Sequence, residues 1–261
     1  VYIVGTRGEK VTKIAGLEGL SKLEDLVIRS CLLSEMTGVE NNLTLRKLEL
    51  YDNQIMHIAS IDTLGATLTV LDLSFNCIRD MAPVAACPLL EELYVAQNKL
   101  RRMDGIAELR RLRILDLGAN RIRVVEQLQN LADLRSLWLG KNKIEVVPDL
   151  SSLSSLRQLD VQSNRLTQLS GVSQLTALEE LYLAHNQIKQ LEGLPGLRSS
   201  GGADEVSVDT SSSDNNNMGS SSSGGADEVS VDTSSSDNNN MGSSSSGGAD
   251  EVSVDTSSSD N

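Results

Sequence analysis

Six residues spaced evenly along the chain alternate between carboxylates and aromatic rings. They are Asp72, Tyr94, Asp116, Trp138, Asp160 and Tyr182, each 22 residues after the one before. Val27 and Glu49 begin the same series. No nucleophile, base or metal ligand recurs with them, so the pattern is poorly suited to turning over a substrate. It is suited to holding another protein, because rings supply contact area and carboxylates attract cations. The chain has one Trp, one Phe and four Tyr. Trp138, Tyr94 and Tyr182 fall in the series, Tyr51 belongs to the neighbouring outward column, and Phe75 lies beside it. The expected partner-binding residues are therefore Glu49, Tyr51, Asp72, Tyr94, Asp116, Trp138, Asp160 and Tyr182. The competing role for the rings is lateral packing along adjacent strands.

Other chemistry is not signalled. The chain contains no C-x-x-C, H-E-x-x-H, G-x-S-x-G, P-loop or G-x-G-x-x-G. Its two histidines, His57 and His185, are too far apart in sequence to share a site readily. No catalytic residue, metal site or cofactor is expected. Cys31, Cys77 and Cys87 do not form paired clusters at the ends of the chain, which favours a reducing, intracellular compartment, nucleus or cytoplasm. No apolar run reaches membrane-spanning length. Asn42-Leu43-Thr44 matches a glycosylation sequon, a match expected to be chance.

The elements that position the series repeat with it. LEDLVIRSCLL from Leu23 returns as LRKLELYDNQI from Leu45, LTVLDLSFNCI from Leu68 and LEELYVAQNKL from Leu90. It continues as LRILDLGANRI from Leu112, LRSLWLGKNKI from Leu134, LRQLDVQSNRL from Leu156 and LEELYLAHNQI from Leu178. Every step is 22 residues except the 23 between Leu45 and Leu68. A weaker copy, VYIVGTRGEKV, starts at Val1, again 22 residues before Leu23. Apolar residues at the fourth and sixth positions flank one outward residue, the period of a strand. The asparagine three places later (Asn53, Asn76, Asn98, Asn120, Asn142, Asn164, Asn186) sits where the chain turns inward. Its amide can serve backbone groups that lack strand partners. Apolar residues at threes, such as Ile122, Val125 and Leu128, suit a 3₁₀ or short helical return. The block is the signature of a leucine-rich repeat solenoid, with a curved parallel sheet on its concave face. Leu117 and Leu139 are expected to be interior, and neighbouring repeats to bury each other.

Charge divides the chain. Residues 201–261 hold 12 of the 36 acidic residues and none of the 23 basic ones, so the first 200 are nearly neutral. A near-neutral array with no evident basic stripe argues against nucleic acid. GGADEVSVDTSSSDNNNMGSSSS recurs from Gly201, Gly224 and Gly247 and offers no core, so 198–261 is expected to be disordered and 1–197 to be the array. Ser200 stands where the next repeat's first leucine belongs. Without a cap, Leu181, Leu183, Ile188 and Leu194 are expected to show uncovered apolar surface.

The order of strings LYDNQI, LDLSFN, LGANRI, LWLGKNKI, VQSNRL and LYLAHNQI, with linkers such as KIAGLEGLSKL and KQLEGLPGL, resembles one family. It is the leucine-rich-repeat regulatory subunit of protein phosphatase 1 (regulatory subunit 7), over about residues 10–197. The resemblance implies a non-catalytic subunit whose concave face holds the catalytic subunit of a protein serine/threonine phosphatase. Asp72, Tyr94, Asp116 and Trp138 match the acidic and aromatic positions that do this. The family's further repeats and C-terminal cap beyond Leu197 have no counterpart here. The alternatives are a generic intracellular scaffold in ciliary or cytoskeletal assembly, or a fragment of a larger enzyme.

Overall fold

The computed structural model describes residues 1–5 and 10–189. Nine short strands form one parallel sheet in strict chain order. They are β1 (Tyr2–Val4), β2 (Asp25–Arg29), β3 (Lys47–Glu49), β4 (Val70–Asp72), β5 (Glu92–Tyr94), β6 (Ile114–Asp116), β7 (Ser136–Trp138), β8 (Gln158–Asp160) and β9 (Glu180–Tyr182). Each repeat supplies one strand, and the rest of the repeat is the crossover that parallel neighbours require. The 22-residue spacing becomes register: Leu48 faces Leu71, then Leu93, Leu115, Leu137 and Leu159 in turn. All of these leucines are fully buried, as are Leu50, Leu73, Val95, Leu117 and Val161 two places on. One continuous core runs through the array, so each repeat is stable only through its neighbours.

The asparagines join one turn to the next. The Asn120 amide donates to its own Leu117 carbonyl at 3.1 Å and to the Val95 carbonyl of the preceding repeat at 2.8 Å. Its Oδ1 accepts the Leu100 N–H at 3.0 Å. Asn76, Asn98, Asn142 and Asn164 make the same set. Cys31 holds the equivalent position in the first clear repeat and is buried. The residue before each of these positions is left-handed although it is never glycine. Ser30, Asp52, Phe75, Gln97, Ala119, Lys141, Ser163 and His185 all have φ between 52° and 57°. For all of these but His185 the N–H donates across to the next repeat, as Ala119 does to the Gly140 carbonyl at 2.7 Å. The strained corner turns the asparagine inward while keeping that bond.

The convex returns contain less helix than the spacing of apolar residues suggests. Among the described residues, only Asp62–Leu64 and Ala82–Ala86 form 3₁₀ segments. Elsewhere irregular segments broken by isolated turns carry the buried residues; Ile122, Val125 and Leu128 lie in such a segment, outside any helix or turn.

The first strand departs from the expected register. Tyr2 pairs with Val27, a separation of 25 residues, so Val1 does not align with Leu23. The reason is the core. An alignment at 22 would direct Thr6 inward, whereas the observed one places Ile3 opposite Ile28 and packs it against the core. Tyr2 and Val4 then face outward, 70% and 63% exposed. At the other end Leu181 and Leu183 are buried in the common core, against the expectation of uncovered surface at them, while Ile188 is only partly buried against it. Leu191, Leu194, Leu197 and the acidic segment 198–261 lie outside the described residues.

Candidate protein-binding face

The outward column expected from the sequence is assembled by strand register. Asp72 pairs with Tyr94, Tyr94 with Asp116, Asp116 with Trp138, Trp138 with Asp160 and Asp160 with Tyr182. Neighbouring strands lie roughly 4.8 Å apart, so rings and carboxylates form one unbroken row. Asp72, Tyr94, Asp116, Trp138 and Asp160 are half-buried, and Tyr182 is exposed. Tyr51 is also half-buried and tilts against exposed Phe75, with ring centroids 4.9 Å apart. Part of the aromatic set therefore does pack laterally.

Glu49 is placed differently. It is only 3% exposed, held between Arg29 and Lys47, whose ammonium lies 3.3 Å from Oε2. Burial alone would raise its pKa, but the hydrogen bonds and charges of Arg29 and Lys47 hold the carboxyl below its ordinary range. Val27 is buried as well. The accessible row thus begins at Asp72. The sequence held the signal for this closure, since Lys47 precedes Glu49 by two residues and so shares its face of the strand.

The three aspartates have a second role. Asp72 Oδ1 accepts the Ser74 N–H at 2.8 Å, Asp116 Oδ1 that of Gly118 at 2.9 Å, and Asp160 Oδ1 that of Gln162 at 2.8 Å. Each pins the chain as it leaves the strand. Burial nevertheless raises all three pKa values, and for Asp116 the charges of Asp72 and Asp160 push in the same direction. The row is therefore short of positive charge. Lys141 offsets this partly at Asp160, and Arg29 at Asp72.

A second column, not singled out from the sequence, holds the tyrosines. The Tyr94 hydroxyl donates to Glu92 Oε2 at 3.0 Å and the Tyr182 hydroxyl to Glu180 Oε2 at 2.8 Å. Ser136 donates to Gln158 at 2.7 Å, and Gln158 to Glu180 at 2.9 Å, extending the line. Burial and the Glu92 charge push the Tyr94 phenol well above its ordinary value. The repeated Glu-Leu-Tyr triplets at Glu92 and Glu180 are the signal for these pairs.

Beside Trp138 the face dips into an open recess of about 280 Å³ lined by Ala96, Gly118, Gly140, Asp116 and Asp160. The column on that side has small residues at its centre. A Cβ on Gly140 would approach an Asp160 oxygen to 2.8 Å, so glycine leaves the aspartate room. The indole stands over a cleared floor, an arrangement that accepts a protruding side chain or loop.

Among the described residues no group of histidine, cysteine and carboxylate side chains could hold a metal. No helix there is long and apolar enough to cross a membrane. His57 and His185 are exposed, and Cys31, Cys77 and Cys87 are free thiols. Asn42 of the sequon is 1% exposed, and its amide donates to the Leu17 and Leu20 carbonyls at 3.0 and 3.2 Å. It is a structural residue closed to modification in the folded chain.

Family models for leucine-rich repeats match residues 66–80, 110–166 and, as two copies, 154–196. No curated protein matches the chain. Solved structures similar to it include an internalin (inlF) of Listeria monocytogenes, 27% identical with a TM-score of 0.65. That alignment covers 69% of this chain and 53% of the internalin, so the chain spans about half its length. Internalin C2 of the same organism is 28% identical with a TM-score of 0.64, covering 67% of this chain and 76% of that one. A plant peptide hormone receptor, RGFR1, solved in complex with RGF2, is 25% identical with a TM-score of 0.56, covering 65% of this chain and 29% of the receptor. With the register and the asparagine ladder, these matches make the chain a leucine-rich repeat protein.

Proposed function

We propose that the chain is a non-catalytic protein-binding subunit that grips its partner on the concave face, from Asp72 to Tyr182. The carrying observation is the unbroken row of half-buried carboxylates and rings centred on Trp138, beside a recess floored by glycine. Partly desolvated aspartates with raised pKa values favour a partner that brings arginine or lysine. The rings supply the apolar anchors that dominate binding energy. The similar plant peptide hormone receptor was solved in complex with RGF2, which accords with such a use of the fold.

The partner we infer is the catalytic subunit of a type-1 protein serine/threonine phosphatase, in an intracellular compartment. This rests on the resemblance carried by the order of repeat strings and on the match at Asp72, Tyr94, Asp116 and Trp138. Calorimetric titration of the purified phosphatase catalytic subunit into the full chain tests it. One-to-one binding is expected. No heat of binding at micromolar concentration would discard the phosphatase, leaving the face to a different protein.

A further inference from the structure

The array carries a second surface that the acidic-aromatic row does not use. On the flank of the solenoid, Arg101, Arg121, Arg123 and Lys143 surround an open recess of about 380 Å³. They come from three successive repeats, just beyond the asparagine corners. No basic stripe is visible in the sequence because the three repeats that contribute these residues are 20 to 22 positions apart and interleaved with acids. Stacking gathers them.

No carboxylate is among the residues that line the recess. Arg29, Arg102, Arg110, Arg113 and Arg157 each sit within 3.4 Å of a carboxylate oxygen. No ion pair joins Arg101, Arg121, Arg123 or Lys143 to a carboxylate among the described residues. Arg102, next in sequence to Arg101, is taken by Asp104 and Glu126. Lys99, one repeat before Arg121, is turned to the Cys77 sulfur at 3.3 Å. Four cations thus line one recess with no carboxylate in its lining, an arrangement that favours an anion.

We propose that this flank is a docking site for a phosphorylated acidic segment of a protein partner, separate from the concave face. A phosphoryl group offers close to two negative charges and three acceptor oxygens, the complement of converging guanidinium groups that bind in bidentate fashion. Repeats spaced roughly 4.8 Å apart put the cations along roughly 10 Å, the reach of one phosphoryl group and a neighbouring carboxylate on an extended peptide. A nucleic-acid backbone would call for a longer basic track and stacking rings, and no aromatic residue lines the recess.

Fluorescence anisotropy with the full chain tests the proposal. The probes are a labelled twelve-residue peptide with a central phosphoserine flanked by aspartate and leucine, its serine counterpart, and a twelve-nucleotide single-stranded DNA. The phosphopeptide is expected to bind at least tenfold more tightly than the other two, and to weaken as salt rises. Arg121→Gln combined with Arg123→Gln should weaken it at least tenfold, while Trp138→Ala leaves it unchanged. Both arginines are exposed, and an unaltered melting temperature will show that the double variant folds. Equal affinity for the serine peptide, tighter binding of DNA, or indifference to the double substitution would each overturn the proposal.

Discussion

Asp116 shows how one side chain can serve fold and function with opposed demands. Its Oδ1 fastens the Gly118 N–H, yet burial and the flanking Asp72 and Asp160 charges make its ionised form costly. A carboxyl whose folded pKa is raised contributes most below its unfolded value, about 3.9, and loses that contribution as pH rises through the folded value. An asparagine in its place would keep the acceptor oxygen without the charge. Asp116→Asn should therefore melt higher than wild type at pH 7, with the difference shrinking as pH falls through the folded pKa toward about 4. Melts of the pair across this range decide it, and a difference that grew toward acid would reverse the assignment. The same substitution should slow association with a basic partner and flatten its salt dependence, measurable by stopped flow. Stability gained and association rate lost by one change would mark the carboxylate as kept for binding. The alternation of acid and ring was legible from spacing alone. The closure of Glu49 was legible only in part: Lys47 shares its face of the strand, but Arg29 reaches across from the neighbouring one.

At the scale of the repeat, the asparagine corner is the element that makes stacking specific. Asn120 serves the Val95, Leu117 and Gly118 carbonyls and the Leu100 N–H, groups largely shut off from water. Asn120→Ala should cost about 3 kcal/mol, since several polar groups lose their partners together. Asn186→Ala should cost less, because Asn186 is only half-buried. Urea titrations would show the ranking, and equal losses would mean that the ladder is not the principal link. The left-handed residue just before each asparagine left no mark in the sequence. Glycine is the usual sign of that conformation, and here Ser, Asp, Phe, Gln, Ala, Lys and His occupy it. The period placed the asparagine but carried no sign of the backbone angle. The first repeat was misregistered for a related reason. VYIV offers two apolar alternations, and only packing against Ile28 selects the one that buries Ile3.

For the whole molecule, stability adds up repeat by repeat, so position in the array should decide how readily a segment opens. Leu139 is 1% exposed with neighbouring repeats on both sides, and Leu139→Ala should cost roughly 2–5 kcal/mol. β1 has one strand neighbour, and its Tyr2 and Val4 are largely exposed. Its amides, and that of Gly5, should exchange with solvent far faster than those of Leu115 and Leu117. The array also separates two kinds of surface. The acidic-aromatic row follows the strands, and the basic recess follows the loops beyond the asparagines.

Binding through the concave face stands or falls on Trp138. Its indole is half-buried at the middle of the row and contributes little to the core, so its loss should spare the fold. Titration of the type-1 phosphatase catalytic subunit against wild type and Trp138→Ala, with melts of both, is the most direct test. The expected result is an affinity loss of about 2 kcal/mol or more, near thirtyfold, with the melting temperature little changed. An unchanged dissociation constant for the variant would contradict the concave face as the site of grip.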